Sequence, residues 1–492
     1  MSDDLRAVAD AFRASMPQGA QVSTFRIDHL DRTGVPVVHA SLLLPSEPAT
    51  NGYGYGFTEV EAEVGALGEL CEEVHVGRHL ATAPRVVGSH AELSRHRQAV
   101  DPLTLCLPAG SDYTPDLVLP WVEARRWPSG EPVLVPREWV AAYPYQLGEK
   151  PQVIMPITNG LGAGFDLEHA IAHGIMELLQ RDGNVVSYRA LDRGVVVEPD
   201  AVDEPSVLAL MAHLRHLDID VTVKLACDDF GMANIYVVGD DRGDILVPMQ
   251  ITACGEAAHP DRARALRKAL LEFCGSRARK AATHGPLELL RPALPPHYVD
   301  RQIAVAMLNE EEPRAMTAMI EWLAQDAATL RARLAGGVFA RRQTRLLSDL
   351  PTIPAAAVAA SADRLALLVQ RMAAEALSVL YVDCSPPGDA VRVVKVIVPG
   401  LESETMSFHR IGWRGVQRLR ARRDELLLDA PREGALHVRL LAADEARAGG
   451  PAWFNVALAD QLVGGLYPMY RETGPFSARL ASANQHREAN VR

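Results

Sequence analysis

The chain has 492 residues, of which 48% are hydrophobic and 5% aromatic, so by size alone it can bury a large core and form two or three domains. Its formal charge of −12 at pH 7 argues against a general nucleic-acid or anionic-membrane surface, because both need clustered lysine and arginine. We therefore expect neither a nucleic acid nor a membrane among its partners.

The N-terminus and the cysteines predict a cytoplasmic protein. The first residues, MSDDLRAVADAFRASM, are acidic and lack the basic region and apolar core of a secretory signal, and no uninterrupted apolar run reaches a membrane-spanning length. The six cysteines are widely spaced and form no C-x-x-C pair, which is typical of buried or free thiols in a reducing cytosol.

Helix and strand patterns alternate along the first half of the chain. Residues 1–16 favour a helix, and VPVVHASLLLP, from Val35 to Pro45, favours a strand. Residues 76–156 combine short apolar runs with Pro and Trp, which is typical of short strands and connections. Further on, VTVKLACDDFGMANIYVVGDD predicts two strands joined by a turn around Gly231.

The second half continues this alternation, so the fold class is predicted to be mixed α/β. The run ARALRKALLEFCGSRARKA favours a helix, and Glu272 and Arg277 are candidates to face a common pocket from it. Taken alone, an arginine such as Arg277 is more often a surface cation. Residues 300–350 are rich in helix signals and include the basic run ARRQTRLL, so we expect a peripheral insertion or helical hairpin there. DRLALLVQRMAAEALSVLYVDC predicts a helix and then a strand, and VRVVKVIVPGL predicts a further strand.

One stretch, TNGLGAGFDLEHAIAHGIMELLQRD from Thr158 to Asp182, combines three glycines with a helix. The glycines let a backbone bend closely around a ligand, and Asp166 is placed to cap the helix that follows. At about 100° per residue, one side of that helix is apolar. The opposite side gathers ligand-type side chains within roughly 80° of arc, namely His169, His173, Glu177 and Gln180. Taken alone, the stretch favours an ordinary amphipathic helix with a solvated face.

A second stretch of the same design shifts that balance. NGYGYGFTEVEAEVGALGELCEEV, from Asn51 to Val74, places three glycines before a helix whose polar side carries Glu69, Glu72 and Glu73 beside small residues. Glutamates at i and i+3 repel each other unless a cation lies between them, and Mg²⁺ prefers such oxygen ligands together with substrate phosphates.

The glycine turn and the positive helix end ahead of each stretch suit a phosphate. The pair of stretches therefore predicts a nucleotide–metal site, although neither fits a Walker A loop or a Rossmann fingerprint. A third unit of glycine and helix near residue 255 indicates weak internal repetition.

These stretches resemble the signatures of the YcaO proteins. Thr158–Asp182 is similar to the second signature, in which Ser-Asn-Gly-x-x-x-Gly and Glu-Ala precede a helix ending in Glu-x-x-Glu-Arg-Asp. Asn51–Val74 is similar to the first, a Gly-Lys-Gly turn followed by Ser-Ala-x-x-Glu-x-x-Glu-Arg. Three more similar segments follow in family order; they are DDFGMANIYVV, HPDRARALRKALLEFCGSR and VVKVIVPGLE.

The resemblance implies a YcaO-like fold, in which repeated strand, glycine-turn and helix units surround a central nucleotide site. On this basis we expect an N-terminal helix over residues 1–21, a catalytic domain over 22–415 with a helical insertion at about 300–350, and a C-terminal extension over 416–492.

The resemblance also implies ATP and Mg²⁺ as cofactors. The metal role falls on Glu69, Glu72 and Glu177, with Gln180 in the place of the last glutamate, where an amide supplies oxygen but no charge. Arg181 takes a phosphate or nucleotide contact. The remaining nucleotide-binding positions that the family pattern implies are Asn159, Glu168 or His169, His173 and Arg277.

Several positions depart from the family pattern. Tyr55 replaces the Lys of Gly-Lys-Gly, Gly65 replaces the Ser of the first helix, and Gly275 replaces the usual Gln of the third helix. Gly162 and Phe165 replace polar residues that are common in the second turn. These departures leave open a variant nucleotide geometry or a diverged member that has lost activity.

The reaction that the resemblance implies is ATP-dependent activation of a peptide backbone amide. A nucleophile adds to the amide carbonyl, ATP phosphorylates the resulting oxygen, and phosphate then leaves. A Cys, Ser or Thr side chain of the substrate gives an azoline, and a sulfide equivalent gives a thioamide. The C-terminal residues ANQHREANVR lack the Pro-x-Pro-x-Pro tail of many azoline-forming members, which favours thioamidation or another amide modification.

The expected partners are a peptide or protein substrate and a TfuA-type or peptide-recognition protein, and a homodimer is left open. Two other classes of function also stay open. His169, His173 and Glu177 could ligate one metal in a hydrolase, although the spacing H-E-x-x-H is absent. Alternatively, the chain is a catalytically silent scaffold that binds a peptide or a partner.

Overall fold

Strands and helices alternate through most of the chain, so the predicted mixed α/β class is confirmed. The computed structural model describes residues 2–43, 49–243, 245–403 and 406–491. The strands are β1 (Gln21–Arg26), β2 (Val37–Leu43), β3 (Thr50–Tyr55), β4 (Val86–Ser89), β5 (Val118–Arg126), β6 (Pro132–Pro136), β7 (Leu161–Gly164), β8 (Val195–Glu198), β9 (Ile219–Cys227), β10 (Ala233–Asp241), β11 (Cys254–His259), β12 (Gln343–Leu346), β13 (Leu380–Asp383), β14 (Arg392–Ile397), β15 (Leu427–Leu428), β16 (Ala435–His437) and β17 (Trp453–Asn455). The helices are α1 (Ser2–Ala14), α2 (Glu59–Thr82), α3 (His90–Leu93), α4 (Arg137–Val140), α5 (Leu167–Asn184), α6 (Pro205–His216), α7 (Arg262–His284), α8 (Leu287–Ala293), α9 (Tyr298–Ala304), α10 (Pro313–Leu323), α11 (Ala327–Ala335), α12 (Ser361–Ala374), α13 (Trp413–Ala421), α14 (Ala442–Arg447), α15 (Val456–Val463) and α16 (Ser477–Val491).

The strands form several sheets, and the long helices α2, α5 and α7 pack against them. Strands β1, β2 and β3 form an antiparallel sheet in that order. A second sheet has the order β11-β10-β9-β8-β12, and a third has the order β4-β5-β13-β14-β7 with β6 paired to β5. Strands β15, β17 and β16 form a small sheet near the C-terminus.

Three strand–helix pairs, β3 with α2, β7 with α5 and β11 with α7, align with each other without a gap. We call residues 51–75, 159–183 and 254–278 the first, second and third repeats. In this alignment the residue before each helix is an N-cap; the three caps are Thr58, Asp166 and Asp261, and each side chain accepts a hydrogen bond from the first turn. The expected internal repetition and the Asp166 cap are therefore present in the structure.

The glycines of the repeats lie mostly within strands, where the sequence predicted turns. A Cβ at Gly54 would lie 1.9 Å from the carbonyl oxygen of Ala62, and a Cβ at Gly162 would lie 2.1 Å from that of Ala170. In the first and second repeats the helix backbone thus rests directly on its own strand, and at these two positions only glycine leaves room for that approach. Gly160 precedes its strand with a φ of +86°, so this residue does form the predicted bend.

Most remaining element predictions hold. The segment Val35–Pro45 contains β2, and its residues 44 and 45 lie outside the described residues. The basic run ARRQTRLL differs from the prediction, because it includes β12, which pairs in parallel with β8 at a sheet edge and forms no hairpin helix.

All six cysteines are free. Within the described ranges, no helix combines the length and the apolar character needed to cross a membrane. The division of the chain at residues 21 and 415 stays a prediction.

Candidate functional site

All three repeats contribute to one large cavity of about 2120 Å³. The strand of each repeat also packs against the helix of another: β3 on α7, β7 on α2, and β11 on α5. This cyclic packing turns one face of each of the three helices towards the same space.

Three glutamates that occupy the same position in the three repeats line this cavity; they are Glu69, Glu177 and Glu272. The backbone N–H of Tyr53 donates to Oε2 of Glu69 at 2.6 Å, and the N–H of Gly160 donates to Oε2 of Glu177 at 2.9 Å. The hydroxyl of Tyr55 donates to Oε2 of Glu272 at 2.9 Å. Each carboxylate is therefore oriented by a neutral donor, which itself supplies no positive charge.

The carboxylates of α2 and α5 act on each other through the cavity. Burial raises the pKa of Glu72 well above its usual range, and the charges of Glu177 and Glu69 raise it further. Burial raises the pKa of Glu69 to about 7. The N–H of Tyr53 and the charge of Arg279 oppose this rise, and the charge of Glu177 adds to it. This mutual repulsion is the situation that a bound divalent cation relieves.

The donor set fits Mg²⁺ better than zinc. Across the residues that the structure describes, no three His, Cys, Asp or Glu side chains are grouped closely enough to hold a metal ion by themselves. Mg²⁺ is usually held by one or two carboxylates together with phosphate oxygens and waters, so carboxylates that face each other across a cavity suit it.

The alternative metal set of the second repeat does not converge in the structure. The rings of His169 and His173 stack with centroids 6.5 Å apart, and Nδ1 of His169 lies 3.4 Å from Nη2 of Arg364. Burial lowers the pKa of His173 to about 3. The hydrolase hypothesis therefore receives no support from the arrangement of these side chains, although both imidazoles line the cavity.

Gln180 and Arg181 line the cavity and share a partner that the sequence analysis missed, Glu256 on β11. The amide of Gln180 donates to Oε2 of Glu256 at 3.0 Å. Arg181 lies 3.1 Å from Glu256 and 3.5 Å from Glu177, so it joins the second and third repeats. With its amide nitrogen committed to Glu256, Gln180 retains its oxygen for another contact.

Glu256 is the centre of a buried polar network. Its carboxylate also accepts from Tyr188 at 2.6 Å, Asn184 at 2.6 Å and Arg189 at 3.2 Å. Burial alone would raise the pKa of Glu256, but Arg181 and Arg189 lower it below the usual value, so the carboxylate is ionised. A lone Glu on a strand gave no local signal for this role.

Two predicted residues, Glu168 and Arg277, do not reach the cavity. Glu168 precedes Glu177 by nine residues, which places it about 180° around α5, whereas Asn159 and His169 do line the cavity. Arg277 is fully buried elsewhere, where it donates to Asp31 at 2.8 Å and to Asp241 at 2.7 Å. The expectation that Glu272 and Arg277 share a pocket is therefore corrected for Arg277.

Arg279 is the arginine of α7 that lines the cavity, together with Lys268 and Lys280. It follows Glu272 by seven residues, so helix geometry places the two within about 20° of each other. Glu472, from the C-terminal part of the chain, lies 3.1 Å from Arg279 and also pairs with Lys280 and His284. The helical period alone was enough to prefer Arg279 over Arg277, whereas Glu472 lies far away in sequence.

A family model described as YcaO cyclodehydratase, ATP- and Mg²⁺-binding, matches residues 53–402. This is more than two thirds of the chain, so the chain belongs to the YcaO family, and the predicted cofactors ATP and Mg²⁺ are those of the family. The resemblance stated from the sequence is thereby confirmed.

Two individual proteins are similar to the chain over most of its length. An uncharacterized protein of Methanothermobacter thermautotrophicus is 30% identical over 294 residues, which are 58% of this chain and 71% of that protein. YcaO from Methanopyrus kandleri, solved with AMPPCP and Mg²⁺, is 21% identical with a TM-score of 0.57, over 84% of this chain and 94% of that chain.

A heterocyclase solved in complex with substrate and cofactor is 18% identical with a TM-score of 0.61, over 83% of this chain. The chain spans about half of that heterocyclase, 54% of its length. These likenesses to solved structures show a shared fold.

Proposed function

We propose that the chain uses ATP and Mg²⁺ to activate a backbone amide of a peptide or protein, giving a thioamide or an azoline. The observation that carries the proposal is the convergence of acidic helix faces from separate repeats on one cavity, in a chain of the YcaO family. Carboxylates that repel each other across one cavity favour a divalent cation and the triphosphate that accompanies it.

In this proposal Glu69, Glu72 and Glu177 hold Mg²⁺ jointly with the phosphate oxygens of ATP, with the amide oxygen of Gln180 as a further ligand. Bound Mg²⁺·ATP supplies the phosphoryl group that makes the amide oxygen a leaving group. Arg181 and Arg279 line the same cavity and offer planar donors that match phosphate oxygens. Asn159, His169 and His173 line it as well and complete the candidate nucleotide contacts.

The size of the cavity supports a second, larger substrate beside the nucleotide. Pockets for single small molecules usually have about 300–1,000 Å³, and this cavity has about 2120 Å³. Part of its lining is apolar: Phe12 of α1 stacks on Phe165 at 5.6 Å between ring centroids, and Leu5, Val8 and Met155 lie on the same cavity. An extended peptide can bury apolar side chains there while its backbone reaches the acidic helices.

Mass spectrometry of candidate precursor peptides, incubated with the protein and Mg²⁺·ATP with and without a sulfide source, tests this function. The proposal predicts an ATP-dependent loss of one water per site for an azoline, or exchange of oxygen for sulfur for a thioamide. Addition or omission of a TfuA-type protein tests whether a partner delivers the peptide or the sulfur. The control is Glu59→Gln, which removes a carboxylate of α2 outside the cavity.

The proposal fails if the protein binds no Mg²⁺·ATP and no peptide changes mass. Folded protein that binds peptide without binding nucleotide would instead favour the silent scaffold.

A further inference from the structure

The third repeat lacks one side chain that the other two repeats carry. The position of Glu72 in the first repeat and of Gln180 in the second is occupied by Gly275 in the third. A Cβ at Gly275 would lie 2.8 Å from Cδ1 and 3.1 Å from Cβ of Tyr55, which is too close for any side chain. The ring of Tyr55 therefore fills the space that a metal-ligating side chain of the third repeat would need.

Tyr55 is itself the exception at its position. Its equivalents on the strands of the second and third repeats are Ala163 and Ala258, and all three residues line the cavity. Because each strand packs on the helix of another repeat, Tyr55 of β3 faces α7. The other two interfaces, β7 with α2 and β11 with α5, combine an alanine with Glu72 or Gln180. At the interface with Gly275 the strand residue is therefore large, and at the interfaces with Glu72 and Gln180 it is small.

The hydroxyl of Tyr55 has a separate contact. It donates to Glu272, the equivalent of Glu69 and Glu177, at 2.9 Å. Burial raises the pKa of Glu272, Lys268 one turn earlier on α7 lowers it, and Glu256 raises it again. At the positions of Glu272 and Gly275, the third repeat therefore has a single carboxylate, with the Tyr55 hydroxyl and the Lys268 side chain beside it. At the same positions the first repeat has two carboxylates, Glu69 and Glu72.

We propose that Tyr55 is a specificity-determining residue that closes the third repeat to divalent cations, so that the metal ligands of the cavity come from the first two repeats alone. The inference rests on the proposed function for the identity of the cation site. Its steric part concerns only the fit of Tyr55 against Gly275.

The steric part is tested by a double-mutant cycle of Tyr55 and Gly275, with thermal unfolding as the measurement. Gly275→Glu alone forces a side chain into the ring of Tyr55, and we expect the melting temperature to fall by about 3 °C or more. Tyr55→Ala/Gly275→Glu reproduces the alanine and glutamate combination of α2 with β7, and it should recover most of that loss. A single Gly275→Glu variant as stable as the wild type, or effects that simply add, would overturn the inference.

The metal part is tested by counting bound Mn²⁺, a spectroscopic substitute for Mg²⁺, in the full-length protein. The double variant should bind one Mn²⁺ more than the wild type, and a further Glu272→Gln change should remove it. Tyr55→Phe keeps the ring and deletes the hydroxyl, so its Mn²⁺ count should equal that of the wild type. Equal counts in the wild type and the double variant would overturn the inference. A wild type that binds no Mn²⁺ with or without ATP would instead refute the proposed function, and the unfolding cycle separates the two failures.

Discussion

The first two repeats and the third repeat place a glutamate at the same point of the cavity, yet their neighbouring residues differ. Glu69 stands one helical turn before Glu72, and Glu177 stands one turn before Gln180, whereas Glu272 stands one turn before Gly275. The backbone arrangement is common to all three, with the same strand, cap and helix. The repeated backbone thus supplies equivalent positions, and single side chains distinguish the two repeats that we propose bind the cation from the third.

The largest effect is expected from adding a methyl group between a strand and its helix. In Gly54→Ala or Gly162→Ala the new Cβ would lie about 2 Å from a helix carbonyl oxygen, and neither backbone can move without disturbing the repeat. We expect a loss of at least about 3 kcal/mol in the free energy of unfolding, measured by chemical denaturation. The matched control is Gly336→Ala, because a Cβ there meets no atom within 4 Å.

The third repeat provides a comparison for this prediction, because it already carries Ala257 at the position of Gly54 and Gly162. Ala257→Gly should therefore cost only about 1 kcal/mol, the usual penalty for glycine in place of alanine. If Gly54→Ala were as harmless as Gly336→Ala, the close strand–helix packing described for the repeats would be incorrect.

A smaller effect is expected from pH in protein stripped of metal. Burial raises the pKa of Glu69 from 4.5 to about 7, so the folded state holds a proton more tightly than the unfolded state. Stability from this group is present below pH 4.5 and is lost as the pH rises towards about 7. The melting temperature should thus be higher at pH 6 than at pH 8, and Glu69→Gln should weaken that dependence.

The melting temperature measured against pH in saturating Mg²⁺ and ATP distinguishes the contribution of the first repeat from that of the third. The pKa of Glu272 is also raised to about 7, mainly by burial. We propose that the cation binds Glu69 and not Glu272, so the pH dependence due to Glu69 should disappear and that due to Glu272 should persist. Disappearance of both contributions would show that the third repeat binds the cation as well.

The sequence predicted the elements and much of the cavity because both depend on local patterns. The periodicity of α2 and α5 identified Glu69, Glu72, Glu177 and Gln180, all of which line the cavity. Arg277 was assigned by family position, although the helical period turns it about 140° away from Glu272, towards Asp31 and Asp241.

Other features depend on contacts between distant segments. Glu256 faces Gln180 and Arg181 only because β11 packs on α5, and Glu472 meets Arg279 across nearly 200 residues. The glycines of β3 and β7 carry no sequence signal that separates a turn from a strand pressed against a helix. Such residues become evident only once the repeats are assembled.

Isothermal titration calorimetry of Mg²⁺·ATP with Glu69→Ala and Glu177→Ala tests the shared cavity most directly. The two residues lie on different helices more than 100 residues apart, and nothing but a common ligand requires both. We predict that each variant folds and loses at least about 100-fold in affinity, equivalent to about 2.7 kcal/mol, while Glu59→Gln binds like the wild type. Unchanged affinity in both alanine variants would show that Glu69 and Glu177 do not share a nucleotide site.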